Sequence, residues 1–160
     1  MSCRNGNCIQ NIIPENAKYF KEEIITETLV IPPQKPNMER ILDMLVWAEV
    51  ENINLIETEK GVSNEGQKLT GVKLVVEVKL KEKVTYVALE PTQSAHAAHY
   101  EMFKSMFVIL PEEINGRLTC DLVRAGRISV IPYVECVHSR MLDCRTIHKC
   151  VMLFLDVKVC

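Results

Sequence analysis

The chain has 160 residues, of which 48% are apolar and 25% charged, with a formal net charge of −2. This composition is typical of one folded globular domain and excludes an intrinsically disordered chain. The small net charge gives no electrostatic reason to expect nucleic acid or an anionic membrane as a partner, and we predict neither.

Residues 1–18 are predicted to form a flexible arm, because they are polar, contain Gly6 and Pro14, and lack sustained periodicity. No basic start is followed by the apolar stretch of a signal peptide. Nowhere does an apolar run approach the roughly 18 residues of a membrane span. We therefore expect a protein made in the cytosol, with one domain over residues 19–160.

The first strand and the one predicted helix come early in the domain. Residues 20–31 are rich in Ile, Thr and Val and end at two prolines, which cannot donate the hydrogen bonds of a β-ladder, so we predict a strand there. After Asn37, a candidate N-cap, apolar side chains recur at i, i+3, i+4 and i+7. This spacing predicts a short helix at about residues 37–45.

The clearest periodic signal lies in the middle of the chain. Residues 46–55 alternate like a strand, with a change of parity near Ile53 that a β-bulge would produce. Over residues 72–88 the apolar side chains occupy even positions, and only Glu82 breaks the series. We predict one long strand, or two joined by a tight turn, whose even face covers the core. The opposite face carries lysines that we interpret as a solvated sheet face, rather than as a basic patch. They include Lys79, Lys81 and Lys83.

Three more strands are predicted in the second half, at residues 100–110, 128–138 and 147–160. We interpret His96 and His99 as part of a solvated connector, and residues 112–119 as a loop or short helical turn. The last strand is apolar on both faces, which is typical of a central strand or of one covered by a neighbouring chain. Together the elements predict a mainly β, antiparallel, sandwich-like domain, with a mainly antiparallel α+β domain as the alternative.

Cysteine is frequent for a chain made in a reducing compartment. There are seven cysteines, so at least one thiol is free or pairs with another chain. Cys3 and Cys8 lie on the predicted arm with nothing nearby to pack against, and Cys160 follows the last strand. We interpret these three as candidates for disulfides between chains, the alternative being incidental surface cysteines. The other four are predicted to be packed or locally paired, namely Cys120, Cys136, Cys144 and Cys150.

No catalytic signature is recognisable, and we predict a protein that is not an enzyme and uses no cofactor or metal. Zinc is the better chemical alternative, although the ligand spacing fits neither a finger nor a ribbon. Its candidate ligands are Cys136, His138, Cys144, His148 and Cys150. A thiol nucleophile at Cys144, with His148 as base and Asp143 as the orienting acid, rests only on closeness in sequence and is less favoured.

The stretch over residues 27–42, Glu-Thr-Leu-Val-Ile-Pro-Pro-Gln-Lys-Pro-Asn-Met-Glu-Arg-Ile-Leu, resembles the opening of the SPOCS domain, a family of sporulating clostridia and their relatives. The hallmark of that family is a strand, then Ile-Pro-x-x-Lys-Pro and a short amphipathic helix. The resemblance covers roughly residues 24–158 and assigns family-motif positions to Pro32, Lys35, Pro36, Gly71 and Tyr86. Weaker matches follow in order, at residues 99–111 and at Leu-Asp-Cys-Arg-Thr-Ile over residues 142–147.

The resemblance implies a protein of the bacterial spore surface, because family members look like spore-envelope proteins. One kind is a morphogenetic adaptor in which a peptidoglycan-binding LysM module follows the domain. No LysM module follows here, which favours a small subunit repeated many times. Such a protein would be made in the mother-cell cytoplasm and located in the coat, exosporium or an appendage, and its disulfides would form after the mother cell lyses.

The leading expectation is therefore a structural subunit that assembles with itself into a filament or lattice and is stabilised by disulfides through Cys3, Cys8 and Cys160. Its partners would be copies of itself and other spore coat proteins. The runner-up is a spore-morphogenesis adaptor that does not polymerise and docks a coat protein. A zinc-binding protein is the third possibility.

Overall fold

The computed structural model describes residues 13–160. This part of the chain is mainly β, with antiparallel sheets and one short helix, which confirms the predicted fold class. Most of the predicted N-terminal arm, including Cys3 and Cys8, lies outside the described residues.

Ten strands and one helix follow one another in residues 13–160. In chain order they are β1 (Tyr19–Val30), β2 (Met38–Glu57), β3 (Gly61–Val62), β4 (Lys68–Leu69), β5 (Val72–Ala88), β6 (Ala95–Leu110), β7 (Glu113–Ile114), β8 (Arg117–Leu118), α1 (Thr119–Arg124), β9 (Ile128–Met141) and β10 (Thr146–Val159).

The six long strands form two three-stranded antiparallel sheets. Sheet A has the order β1-β10-β9, and sheet B has the order β2-β5-β6. The short strands pair as two hairpins, β3 with β4 and β7 with β8. The sheets face each other, with β9 beside β2 along one side and β1 beside β6 along the other. The strands β10 and β5 are therefore the two central strands of a sandwich.

The core lies between these central strands. The even side chains of β5 predicted to cover the core are buried from Leu74 onwards, and the odd side chains of β10 meet them from the other sheet. Fully buried examples are Val76, Leu80, Val84, Ile147, Leu153 and Leu155. Burying a large aliphatic side chain contributes about 1.5–3 kcal/mol, so this layer is the main stabilising feature of the domain.

The helix predicted at residues 37–45 is wrong, because this segment is the first half of β2. The pairing of β2 with β5 shifts between Met38 and Arg40 and again between Ile41 and Asp43. Each β-bulge changes the parity of the strand, so that Met38, Ile41 and Met44 all face the core at spacings of three residues. Two bulges close together thus reproduce the apolar spacing of a helix. The bulge predicted near Ile53 is confirmed by a third shift, between Val50 and Asn52.

The helix of the described chain is α1, which begins at the end of the stretch predicted as a loop or short helical turn. Most of that stretch is the hairpin β7–β8, whose turn has positive φ at both Asn115 (52°) and Gly116 (75°). Asn-Gly is the preferred pair for such a two-residue turn. The buried Leu122 attaches α1 to the core.

Candidate assembly surface

One face of sheet A points away from the core and carries several large apolar side chains among polar ones. Even-numbered residues of β1 and β10 lie on it opposite one another, as in the pairs Phe20 with Asp156 and Ile24 with Met152. Five large apolar side chains of this sheet A outer face are 41–60% exposed, namely Phe20, Ile24, Val30, Ile131 and Met152. Contiguous exposed apolar surface is typical of a contact with another molecule.

Three aromatic rings give this face a fixed shape. The Phe154 side chain, on the central strand, is only 5% exposed. Its ring stacks on that of Phe20, with centroids 5.3 Å apart, and meets the edge of Tyr133 at 6.3 Å. Packed rings lose little conformational freedom when a partner covers them, so the surface is organised before any contact forms.

The carboxyl groups of Glu22 and Glu135 lie side by side on this face, which also carries the ion pair of Asp156 with Lys158. Burial raises the pKa of Glu135, and the negative charge of Glu22, with a hydrogen bond between the two carboxyls, raises it further. A hydrogen bond between two carboxyls requires that one of them carries the proton. The sheet A outer face therefore carries less negative charge in mild acid than at neutral pH.

Cys160 lies at the end of β10 and is exposed. Its backbone N–H donates to the Arg127 carbonyl at 2.8 Å, and Arg127 Nε donates back to the Cys160 carbonyl at 2.8 Å. These two hydrogen bonds hold Cys160 at the end of the central strand of sheet A, and the residue stays exposed. Of the predicted disulfide candidates, this is the one that the described residues include.

The cysteines inside the domain are half-buried rather than exposed. Cys120, Cys144 and Cys150 are free thiols, and Cys136 is similarly half-buried. Partial burial agrees with the prediction that they are packed. No disulfide joins Cys120, Cys144 and Cys150 to one another, so local pairing among these three is not observed.

The candidate zinc ligands come partly together. His138 and Cys150 are direct partners on β9 and β10, and Cys136 pairs with Met152 on the same face of sheet A. Cys136, His138 and Cys150 therefore share the outer face of sheet A. Across residues 13–160, however, no three His, Cys, Asp or Glu side chains lie close enough to hold a metal ion.

The thiol-nucleophile alternative gains no support from Asp143. Its carboxylate accepts the Arg145 backbone N–H at 2.7 Å, and hydrogen bonds from Arg145 and Thr146 hold its pKa below the usual range. The Asp143 carboxylate therefore accepts hydrogen bonds within the turn between β9 and β10. His148 lies on the strand opposite Thr28 and Arg140.

The outer face of sheet B combines lysines with exposed aromatic rings. Lys81 pairs with Glu49 at 2.9 Å, and Lys79 lies 3.5 Å from Glu101 and over the ring of Phe103. The exposed rings of this sheet B outer face are Trp47, Phe103 and Phe107. Lys79 and Lys81 thus lie on the outer face as predicted, where glutamates pair with them, and the exposed aromatic rings make this face a second candidate contact surface.

The solvated connector predicted around His96 and His99 is wrong, because both residues lie on β6. Their register partners on β5 are Tyr86 and Lys83, respectively. The His96 ring stacks on Tyr86 with centroids 5.9 Å apart. The composition of this segment, rich in alanine and histidine, does not predict a strand. Pairing with the long β5 extends β6 to Ala95.

The family-motif residues Pro32, Lys35 and Pro36 lie in the crossover from sheet A to sheet B. Arg145, which was not predicted as a site residue, holds this crossover through its guanidinium. Its nitrogens donate to four acceptors, at 2.7–3.1 Å, which are the carbonyls of Ile31, Pro32 and Lys35 and Oδ1 of Asn37. The motif therefore has a structural role, since it presents carbonyls to one arginine.

The other two motif positions also shape the backbone. The buried Tyr86 hydroxyl donates to the Pro36 carbonyl at 2.9 Å, which fixes the same crossover to β5. Gly71 has a φ of 82°, and a side chain there would collide with the Thr58 carbonyl oxygen. Only glycine fits this entry into β5 without strain.

Between the sheets lies a buried cluster of charges. Lys149 on β10 and Glu82 on β5 have completely buried side chains that form an ion pair. Lys149 Nζ also lies 2.8 Å from Glu27 Oε2 on β1 and 3.5 Å from Met102 Sδ. The signal for this cluster was in the sequence, because Glu82 and Lys149 are charged residues at core-facing positions of two strands.

Comparison with known proteins gives no significant match to a family model, to a curated protein or to a solved structure. The SPOCS resemblance therefore stays a prediction. Among the described residues, no helix has the length and apolar character needed to cross a membrane.

Proposed function

We propose that this protein is a non-enzymatic structural subunit that assembles with copies of itself in a bacterial spore surface layer, whether coat, exosporium or appendage. Disulfides through Cys3, Cys8 and Cys160 would stabilise the assembly. The observation that supports self-assembly best is the exposed apolar outer face of sheet A, with its packed aromatic rings. The spore location rests on the resemblance of the crossover segment to the SPOCS domain.

The two outer faces are suited to each other. The sheet A outer face is apolar and carries Glu22 and Glu135, whereas the sheet B outer face offers aromatic rings beside lysines. Both faces therefore offer apolar surface that a second subunit can cover, whereas Lys79 and Lys81 are already paired with Glu101 and Glu49 on their own face. A contact between two different faces is heterologous, and unless its rotation closes a ring it propagates as an open filament.

Cysteine would act after this contact has formed. Apolar contacts are reversible, so subunits can find their correct positions while the cytosol keeps thiols reduced. The exposed Cys160 at the end of β10 would then be oxidised with a thiol of a neighbouring chain. A covalent bond would make a reversible assembly permanent.

A charged substitution on the apolar face tests the contact. We expect Ile24→Lys to abolish the filaments or sheets that the purified chain forms. Burying a charged lysine side chain in the contact costs far more free energy than leaving it exposed to water. Electron microscopy and light scattering are the measurements. The matched control is Val62→Lys on β3, where the replaced side chain is also apolar and is 70% exposed. If both variants assemble like the unchanged chain, sheet A does not form the contact.

Oxidation of the assembled protein tests the cross-links. Non-reducing electrophoresis should show ladders that collapse to monomer with reductant, and Cys160→Ser combined with Cys3→Ser and Cys8→Ser should remove them. Cys120→Ser, at a half-buried thiol, is the control and should leave the ladder intact. A chain that stays monomeric under oxidising conditions would instead favour the adaptor that docks a coat protein.

A further inference from the structure

Lys149, Glu82 and Glu27 are arranged for a covalent reaction as well as for an ion pair. We propose that Lys149 Nζ and the Glu82 side-chain carboxyl condense to an amide bond inside the chain, with Glu27 transferring the proton. The bond would join β10 to β5, and so the central strand of sheet A to the central strand of sheet B. It is independent of the assembly proposed above.

The first support is placement. Lys149 Nζ is in contact with Glu82 Oε1, and both side chains are completely buried. Glu27 is the register partner of Lys149 on the neighbouring strand, and its Oε2 lies 2.8 Å from the same nitrogen. Holding the two reacting groups together replaces a bimolecular encounter by a step within one molecule, which is worth several orders of magnitude in effective concentration.

The second support is the protonation state that this environment favours. Burial lowers the pKa of Lys149, against the opposing effect of Glu27. Glu82 Oε2 has no hydrogen-bond partner among the described residues, so its negative charge is incompletely compensated. In an apolar interior a neutral amine beside a neutral carboxylic acid therefore competes with the ion pair. Neutral amine and neutral acid are the forms that can condense.

The reaction balances without any further reactant. A proton passes from the Lys149 ammonium to Glu82, which leaves a neutral amine and a carboxylic acid. The nitrogen lone pair attacks Glu82 Cδ, and Glu27 accepts the proton that the nitrogen loses as the new C–N bond forms. Glu27 then gives this proton to the hydroxyl oxygen of Glu82, the C–O bond breaks, and water leaves. Glu27 returns to its starting state, and no oxidant or reductant is consumed.

Glu27 suits this role because it links the buried pair to the surface. Its side chain is 30% exposed, whereas those of Lys149 and Glu82 are not exposed at all. The released water can therefore leave past Glu27, which opposes the reverse hydrolysis. An amide also removes two buried charges, whose desolvation the ion pair repays only in part.

Intact mass spectrometry of the full chain, purified folded and then denatured and reduced, tests the proposal. The unchanged protein should be lighter than its sequence by one water molecule. Trypsin should not cleave after Lys149, and a branched peptide should connect the segments around Lys149 and Glu82.

Three variants make the test specific. Glu27→Gln keeps the size of the side chain but cannot transfer the proton, so it should fold, as checked by circular dichroism, and keep its full mass. Lys149→Arg cannot form the amide and should also keep its full mass. Lys158→Arg is the control, because Lys158 pairs with Asp156 elsewhere on β10 and the loss of water should persist. A folded, unchanged protein with its full sequence mass would overturn the proposal and leave only a buried ion pair.

Discussion

Arg145 shows how one side chain can define a connection between two sheets. The crossover at residues 31–37 has several carbonyls that point to one place, and the guanidinium supplies donors for four acceptors there. Its own backbone carbonyl accepts the Ile31 N–H at 2.8 Å. The planar guanidinium has a fixed fork of donors that lysine lacks.

We therefore expect Arg145→Lys to lower the free energy of unfolding by about 2–3 kcal/mol, since a hydrogen bond to a charged group contributes about 1.5–3 kcal/mol and more than one is lost. Urea denaturation monitored by circular dichroism is the measurement. The matched control is Arg124→Lys on α1, whose guanidinium makes only an exposed ion pair with Asp121. That change should stay within about 0.5 kcal/mol. Equal effects at both positions would contradict the structural role of Arg145.

At the scale of elements, the three strands of sheet A bring Glu22 and Glu135 together across β10. Burial first and Glu22 second raise the pKa of Glu135 above its value in the unfolded chain. The folded state therefore holds the charged form less well than the unfolded state does. The free energy of unfolding should rise as the pH falls through the raised pKa and level off below the ordinary glutamate range.

Replacing Glu135 by Gln removes the charge that the folded state tolerates poorly. We expect E135Q to be more stable than the unchanged protein near pH 7 and to differ from it less near pH 5. Urea midpoints at both pH values, with Glu59→Gln as an exposed control, give the comparison. A loss of stability in E135Q at neutral pH would show that the folded state lowers the pKa of Glu135 instead of raising it.

The elements also show what the sequence could and could not predict. The region of β5 was predicted as one long strand or two strands joined by a tight turn, and it is one strand whose even positions face the core from Leu74 onwards. The periodicity was clear because this strand is central and faces one uniform core. The first half of β2 was mistaken for a helix, because bulges near Arg40 and Asp43 change its parity twice within a few residues. Bulge positions depend on the partner strand, which a local pattern does not contain.

The sequence predicted part of the candidate sites. The position of Cys160 after the last strand indicated an exposed thiol, and the apolar residues on both faces of that strand indicated apolar side chains on its outward face. The roles of Arg145 and Glu27 could not, because both depend on residues more than one hundred positions away in the chain. Glu82 was visible as the one exception to a regular series, but nothing local to it named Lys149 as its partner.

For the whole molecule, the sandwich leaves two dissimilar outer faces available. Sheet A presents aliphatic and aromatic side chains around a carboxyl pair, and sheet B presents aromatic rings around paired lysines. A symmetric pair would join like faces and stop at two subunits, whereas joining unlike faces leaves one of each kind free on every complex. If the proposed contact joins the unlike faces, the assembly therefore continues to grow unless its rotation closes a ring.

The order of strands in sheet A has a consequence during synthesis. In sheet A the first strand, β1, pairs with β10, which follows more than one hundred residues later, whereas β2, β5 and β6 can form sheet B earlier. On the ribosome, β1 must wait for the last strand, and a chain rich in such distant pairings folds slowly. Until β10 has been made, β1 has no partner strand and the outer face of sheet A cannot form. The apolar side chains of the unpaired β1 stay exposed during this time, which makes the nascent chain prone to aggregation.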